Sequence, residues 1–201
     1  YASYRKPGNV KVPFCLQPDS YYAGPAWYQR QIVIPQTWAG SRIVLSLERA
    51  HWETQIWLDG VHAGRQDSLS VPHLHELGQL APGTYRLDIR VDNRVVVDIG
   101  TNSHAISDHT QGNWNGIVGD IILAATPATW IDDLQVYPDV ESRSVVVRGA
   151  IKTVAKLNGH GSVGLRFAGR RKSIDVSWTP DGGAFETTLP YPKDAALWDE
   201  F

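Results

Sequence analysis

The sequence predicts an all-β chain built as two consecutive sandwiches, and three observations carry that reading. Alternating apolar and polar residues recur in short runs from Pro25 onward, turn dipeptides separate those runs, and helical periodicity is nearly absent. The 201 residues are 42% hydrophobic and 20% charged, a balance that can bury a sizeable core. Nineteen basic against 21 acidic side chains leave a net charge of −2, which gives no electrostatic case for nucleic acid or for an anionic membrane surface. No apolar run approaches the ~20 residues needed to cross a bilayer. The single cysteine, Cys15, excludes an internal disulfide and a cysteine-based metal cluster but leaves the redox compartment open. There is no signal peptide and no methionine, even at position 1, so the chain reads as a piece of a longer protein.

Residues 1–23 carry Pro7, Pro13 and Pro18 and read as an extended lead-in. Trp27, Gln29, Gln31 and Val33 then alternate with Tyr28, Arg30, Ile32 and Ile34 until Pro35 stops the strand. After the Ala39-Gly40-Ser41 turn, Ile43, Leu45 and Leu47 occupy one face of a second strand. A third, Gln55 to Leu58, closes on Asp59-Gly60, a strong hairpin signal, and returns through Val61-His62-Ala63. Residues 74–80 hold the only hint of helical spacing. Following Pro82-Gly83, Tyr85, Leu87, Ile89 and Val91 alternate with Arg86, Asp88, Arg90 and Asp92, so one face is buried and the other wet. Gly116 to Leu123 reads as a closing strand.

The pattern restarts near Ala125-Thr126-Pro127, which divides the chain into 1–125 and 126–201. Strands are expected at Ile131 to Tyr137, around Val145 to Arg148, and at Ser162 to Phe167, Ser173 to Trp178 and Ala184 to Leu189. This second stretch is shorter than the ~100 residues usual for an immunoglobulin-like sandwich, so its last strands are expected to be missing or supplied elsewhere.

Glycosidic hydrolysis needs two carboxyl groups roughly 5 Å apart, or wider for inversion. The six glutamates are scattered; Glu48 and Glu53 are close in sequence but read as exposed strand-end residues rather than a pair. His73-Leu74-His75 places two imidazoles on one face of an extended chain, a geometry compatible with zinc. No third ligand stands at a recognisable spacing, and surface histidines near a turn are the expectation. No Gly-x-Ser-x-Gly elbow and no phosphate-cradling glycine loop is present, and no cofactor is implied.

The informative segment runs from Ser103 to Gly116 and includes Asp108, His109, Gln111, Asn113 and Trp114. Amides and carboxylates pair with vicinal hydroxyls, and an indole face stacks on a pyranose ring, so these residue types suit carbohydrate contact. The alternative is a long sandwich loop in which Asn and Gly satisfy turn geometry and Trp114 plugs the end of the sandwich.

Several motifs in one order resemble glycoside hydrolase family 2, the family of β-galactosidases, β-glucuronidases and β-mannosidases. Gly24-Pro25-Ala26-Trp27-Tyr28-Gln29-Arg30, Ile34-Pro35 and Trp38-Ala39-Gly40 resemble the opening of its N-terminal sugar-binding domain. Val44 to Ala50, Ile56-Trp57-Leu58-Asp59-Gly60, Ile89-Arg90-Val91-Asp92-Asn93 and Trp114 to Leu123 follow in the family's order. Ile131 to Pro138 resembles the first strand of its immunoglobulin-like domain, and Leu197-Trp198 resembles the start of a later motif.

The resemblance implies a jelly-roll (galactose-binding-domain-like) β-sandwich followed by a partial immunoglobulin-like sandwich. It implies a retaining parent whose catalytic glutamates sit in a downstream barrel, the acid/base being preceded by Asn; no Asn-Glu pair occurs here. The chain is then a non-catalytic accessory piece. Its partner is an oligosaccharide substrate held together with the absent barrel, contacted through Asp108, His109, Gln111, Asn113 and Trp114. No nucleic acid, membrane, metal or cofactor enters, the oligomeric state is left open, and an extracytoplasmic bacterial parent is compatible. A free-standing carbohydrate module and a purely structural sandwich are the alternatives. Asp92 and Asn93 are expected to cap a strand end rather than to bind ligand.

Overall fold

The structure is a computed structural model, and it describes residues 22–100, 103, 106, 114–167 and 169–192. Its described secondary structure is β-strand apart from one 3-10 turn at Gln36–Trp38. Two compact units meet between Thr126 and Pro127.

The first unit holds β1 (Pro25–Ile34), β2 (Arg42–Leu47), β3 (Ala50–His51), β4 (Glu53–Leu58), β5 (Val61–Gln66), β6 (His73–Gly78), β7 (Gly83–Asp92), β8 (Gly116–Ile117) and β9 (Ile121–Thr126). A four-stranded sheet in the order β1-β7-β4-β5 and a three-stranded sheet in the order β6-β2-β9 form the two layers, with β3-β8 as a short extra pair. Every pairing is antiparallel. The alternation read from the sequence does the work: Leu45 and Leu47 of β2, Ile56 of β4 and Leu87, Ile89 and Val91 of β7 form one buried cluster. The Asp59-Gly60 turn has φ values of 48° and 83° and joins Leu58 directly to Val61, the two-residue hairpin that its sequence calls for.

Three expectations need correcting. Residues 73–78 are strand β6, not helix, because their register against β2 satisfies the backbone and turns His73 and His75 inward. The closing strand is broken into β8 and β9, since its partner is broken too: β2 stops at Leu47, the chain turns through Glu48 and Arg49 (φ 51°), and β3 follows. Glu48 N–H donates to Asp120 O at 2.9 Å and Gly119 N–H to Glu48 O at 3.2 Å, so the two breaks bridge each other. Finally, β1 buries only Ile34 despite its alternation. It is an edge strand facing a narrower sheet, which leaves an open cleft of about 780 Å³ lined by Tyr28, Ile32, Leu45, Leu87 and Leu123 among others.

The second unit holds β10 (Thr129–Asp139), β11 (Ser144–Thr153), β12 (Gly159–Phe167), β13 (Arg170–Trp178) and β14 (Gly183–Pro190). Its sheets are β10-β11-β14 and the hairpin β12-β13, joined by a core of Val145, Val147, Ile151, Val176, Phe185 and Leu189. A bulge between Asp132 and Gln135, with Asp133 at φ 48°, interrupts β10. Ile131 and Val136 lie opposite buried Ile151 and Val147 yet stay about half exposed, because a two-stranded sheet does not reach across three strands.

Candidate functional site

The end of the first sandwich where β1 starts and β7 stops collects the polar and aromatic residues of interest. Asn93 follows β7 and acts as a clamp: its Oδ1 accepts from Gly24 N–H at 2.7 Å, and its amide donates to Tyr22 O at 2.6 Å and to the Asn115 side chain. Asp92 is buried and accepts from Arg94 Nη2 at 2.5 Å, from Arg94 N–H at 3.1 Å and from Arg90. The Arg94 hydrogen bond first, and then the charges of Arg94 and Arg90, hold its carboxyl below the ordinary value even though burial works against them. Both residues therefore act as the strand-end cap expected of them.

Glu53, expected to be an exposed strand end, is instead half-buried and locked in place. Burial pushes its pKa up, yet hydrogen bonds from Gln55 and Arg65 and the charges of Arg65 and Arg90 hold it below the ordinary value. Glu48 bonds the backbone N–H of Asp120 at 3.1 Å and faces Arg49 at 3.5 Å. A carboxylate held ionised by guanidinium groups is a poor proton donor, so neither Asp92 nor Glu53 is suited to general acid work.

Trp114 is the described part of the polar loop's candidate set; Asp108, His109, Gln111 and Asn113 lie outside the described residues. Its indole N–H donates to Arg49 O at 2.9 Å, and its ring meets the buried His51 edge-on at 5.2 Å. His51 in turn lies 5.9 Å from Trp52, whose indole N–H donates to Asp67 O at 2.8 Å. Trp114 is thus tied to the sandwich end, its indole N–H already taken by Arg49 O and its ring set against His51. Composition drew attention to Trp114, but nothing in the sequence pointed to Arg49 or His51 as its seat.

His73 and His75 are not surface histidines: they are 1% and 2% exposed. His73 Nε2 lies 2.7 Å from Ser68 O, an atom that only accepts, so His73 donates there and accepts at Nδ1. Thr54 Oγ1, 2.7 Å from that Nδ1, must donate to it and accept from His75 Nε2 at 3.0 Å. The result is a one-way chain from His75 through Thr54 and His73 to the backbone of the loop before β6, satisfied without metal. Among the described residues no group of three or more His, Cys, Asp or Glu side chains is placed to hold a metal ion. No helix among them is long and apolar enough to cross a membrane.

No family model matches the chain. Similarity to known proteins is found nonetheless. The β-glucuronidase of Rattus norvegicus is 27% identical over 143 residues, which are 60% of this chain and 22% of that protein. A solved structure of Bacteroides uniformis β-glucuronidase superposes with a TM-score of 0.66 at 20% identity, covering 89% of this chain and 23% of its own. A family 2 β-galacturonidase of Eisenbergiella tayi, solved with bound galacturonate, gives 0.63 at 19% identity, covering 88% and 31%. The chain therefore spans less than a quarter of the first of these proteins, and the solved structures share with it an all-β sandwich architecture.

Proposed function

We infer that this chain, an N-terminal region of a glycoside hydrolase family 2 member, is the accessory part of a β-glycosidase that completes a sugar pocket without supplying its acid or its nucleophile. The observation that carries the reading is Trp114, seated on Arg49 O beside the Asn93–Asn115 clamp at one sandwich end. An indole fixed in this way can wall a sugar pocket at that sandwich end, which is what substrate positioning requires. In this reading Asp108, His109, Gln111 and Asn113 hydrogen-bond sugar hydroxyls and Trp114 walls the pocket. The reacting carboxylates belong to polypeptide beyond this chain. That the named relatives are β-glucuronidases and a β-galacturonidase favours a uronate-bearing β-glycoside as the substrate of the whole protein.

The chain alone is expected to give no turnover of 4-nitrophenyl β-glucuronide or β-galactoside. In the whole enzyme, Asp108→Ala is expected to lower kcat/KM at least about tenfold, as loss of a charge-assisted hydrogen bond to substrate does, with an unchanged melting curve. Turnover by the chain that vanishes on changing one of its glutamates, or kinetics indifferent to Asp108→Ala, refutes the assignment.

A further inference from the structure

We propose that the outer face of the sheet β1-β7-β4-β5 binds a uronate-bearing oligosaccharide, one sugar ring stacking on Trp27 and its carboxylate meeting the arginines alongside. The register places Trp27 beside Arg90 of β7, Gln29 beside Asp88 and Gln31 beside Arg86; on the other flank of β7, Gln55 stands beside Arg90 and Trp57 beside Asp88. Trp27 and Trp57 reach towards each other over β7 with ring centroids 5.1 Å apart, and His62 lies 5.3 Å beyond Trp57. Trp27 is 60% exposed, an unusual state for an indole that already has an aromatic neighbour. Its free ring face is the kind of surface on which the C–H face of a pyranose packs.

The charges on this face are layered by depth, and that layering selects the ligand. In three ion pairs the guanidinium is more than half exposed while the carboxylate beneath is under a fifth exposed: Arg86 over Asp88, Arg65 over Glu53 and Arg94 over Asp92. Asp67, half exposed beside Arg65, is an acid that reaches the same level. The acids are the deeper partners, so the face turns guanidinium edges to the solvent although the chain as a whole carries −2. Guanidinium groups recognise carboxylates in a two-point planar geometry. Planar amides at Gln29, Gln31 and Gln55 share this face with the rings and the arginines and can serve hydroxyls. Gln29 already donates to Asp88 at 2.6 Å and Gln55 to Glu53 at 2.6 Å, which holds both side chains in place.

This inference is independent of the accessory role above, and turnover plays no part in its test. Calorimetry of the 201-residue chain with hexagalacturonate is expected to give measurable binding that maltohexaose, a neutral chain of equal length, does not match. Raising the salt should weaken it, because exposed charge contacts are screened. Trp27→Ala should cost about tenfold in affinity and Arg86→Gln a comparable factor, each variant still melting cooperatively. Equal affinity for the acidic and neutral hexasaccharides, no binding of either, or binding untouched by Trp27→Ala overturns the proposal. So does loss of hexagalacturonate binding in the whole protein, which would mean that other polypeptide covers this face.

Discussion

Asn93 joins three stretches of chain through one side chain: the lead-in at Tyr22 and Gly24, the end of β7, and Asn115 beyond the polar loop. Asn93→Ala strands the Gly24 N–H and the Tyr22 carbonyl together, so it is expected to cost about 1–2 kcal/mol, read as a lower urea midpoint with an unchanged slope. Asn93→Asp keeps the acceptor for Gly24 and should recover part of that loss. The cap role of Asp92-Asn93 was legible in the sequence, since a polar pair closing a strongly alternating strand is a turn signal. The histidines were not. The stretch carried a hint of helical spacing and its histidines read as surface residues, yet Leu74 is 56% exposed while its neighbours His73 and His75 are buried. The Thr54 hydroxyl, 19 residues away from His73, and the Ser68 carbonyl satisfy the buried rings.

The hydrogen-bond chain from His75 to Ser68 ties β4 in one sheet to β6 in the other. His75 sits deep in that chain, with Gly64 packed so closely against its Nδ1 that a Cβ added there would come within 2.9 Å. Burial first, then the nearby His73 and His62, push the His75 pKa down to about 4 from its ordinary 6.5. A depressed histidine pKa contributes stability that is complete above the unfolded value and is lost as the pH falls towards the folded one. The first unit should therefore weaken between pH 6.5 and 4 by up to ~3 kcal/mol. Urea unfolding across that range checks it: His75→Gln is expected to flatten the pH dependence even where it lowers stability at pH 7. At this scale the strands were largely readable, while the break between β8 and β9 was not. It answers a break in β2 and β3 some 70 residues earlier, and apolar spacing within Gly116 to Leu123 carries no trace of it.

The two units have separate buried clusters, one around Leu45, Ile56 and Ile89 and one around Val147, Ile151 and Phe185. Each is expected to fold without the other. Residues 1–126 prepared alone should melt cooperatively, at a temperature within a few degrees of one transition of the 201-residue chain; a non-cooperative melt counts against it. Two successive β patterns, dividing at 125/126, were read in the sequence. The strand order β1-β7-β4-β5 was not, because β7 inserts between strands that precede it by some thirty residues or more, and no local propensity encodes that choice. The Trp27–Trp57 face needed three strands laid side by side before its residues became neighbours.

The paired interruptions at Glu48-Arg49 and Val118-Gly119-Asp120 have a further consequence. Ile121, Leu123 and Ala125 lie opposite Leu47, Leu45 and Ile43 and share their inward side. Deleting Gly119 alone would shift β9 one place along β2 and present Ile122 and Ala124 to the interior instead. Length at these two kinks is therefore constrained jointly, like two links that must be shortened together or not at all.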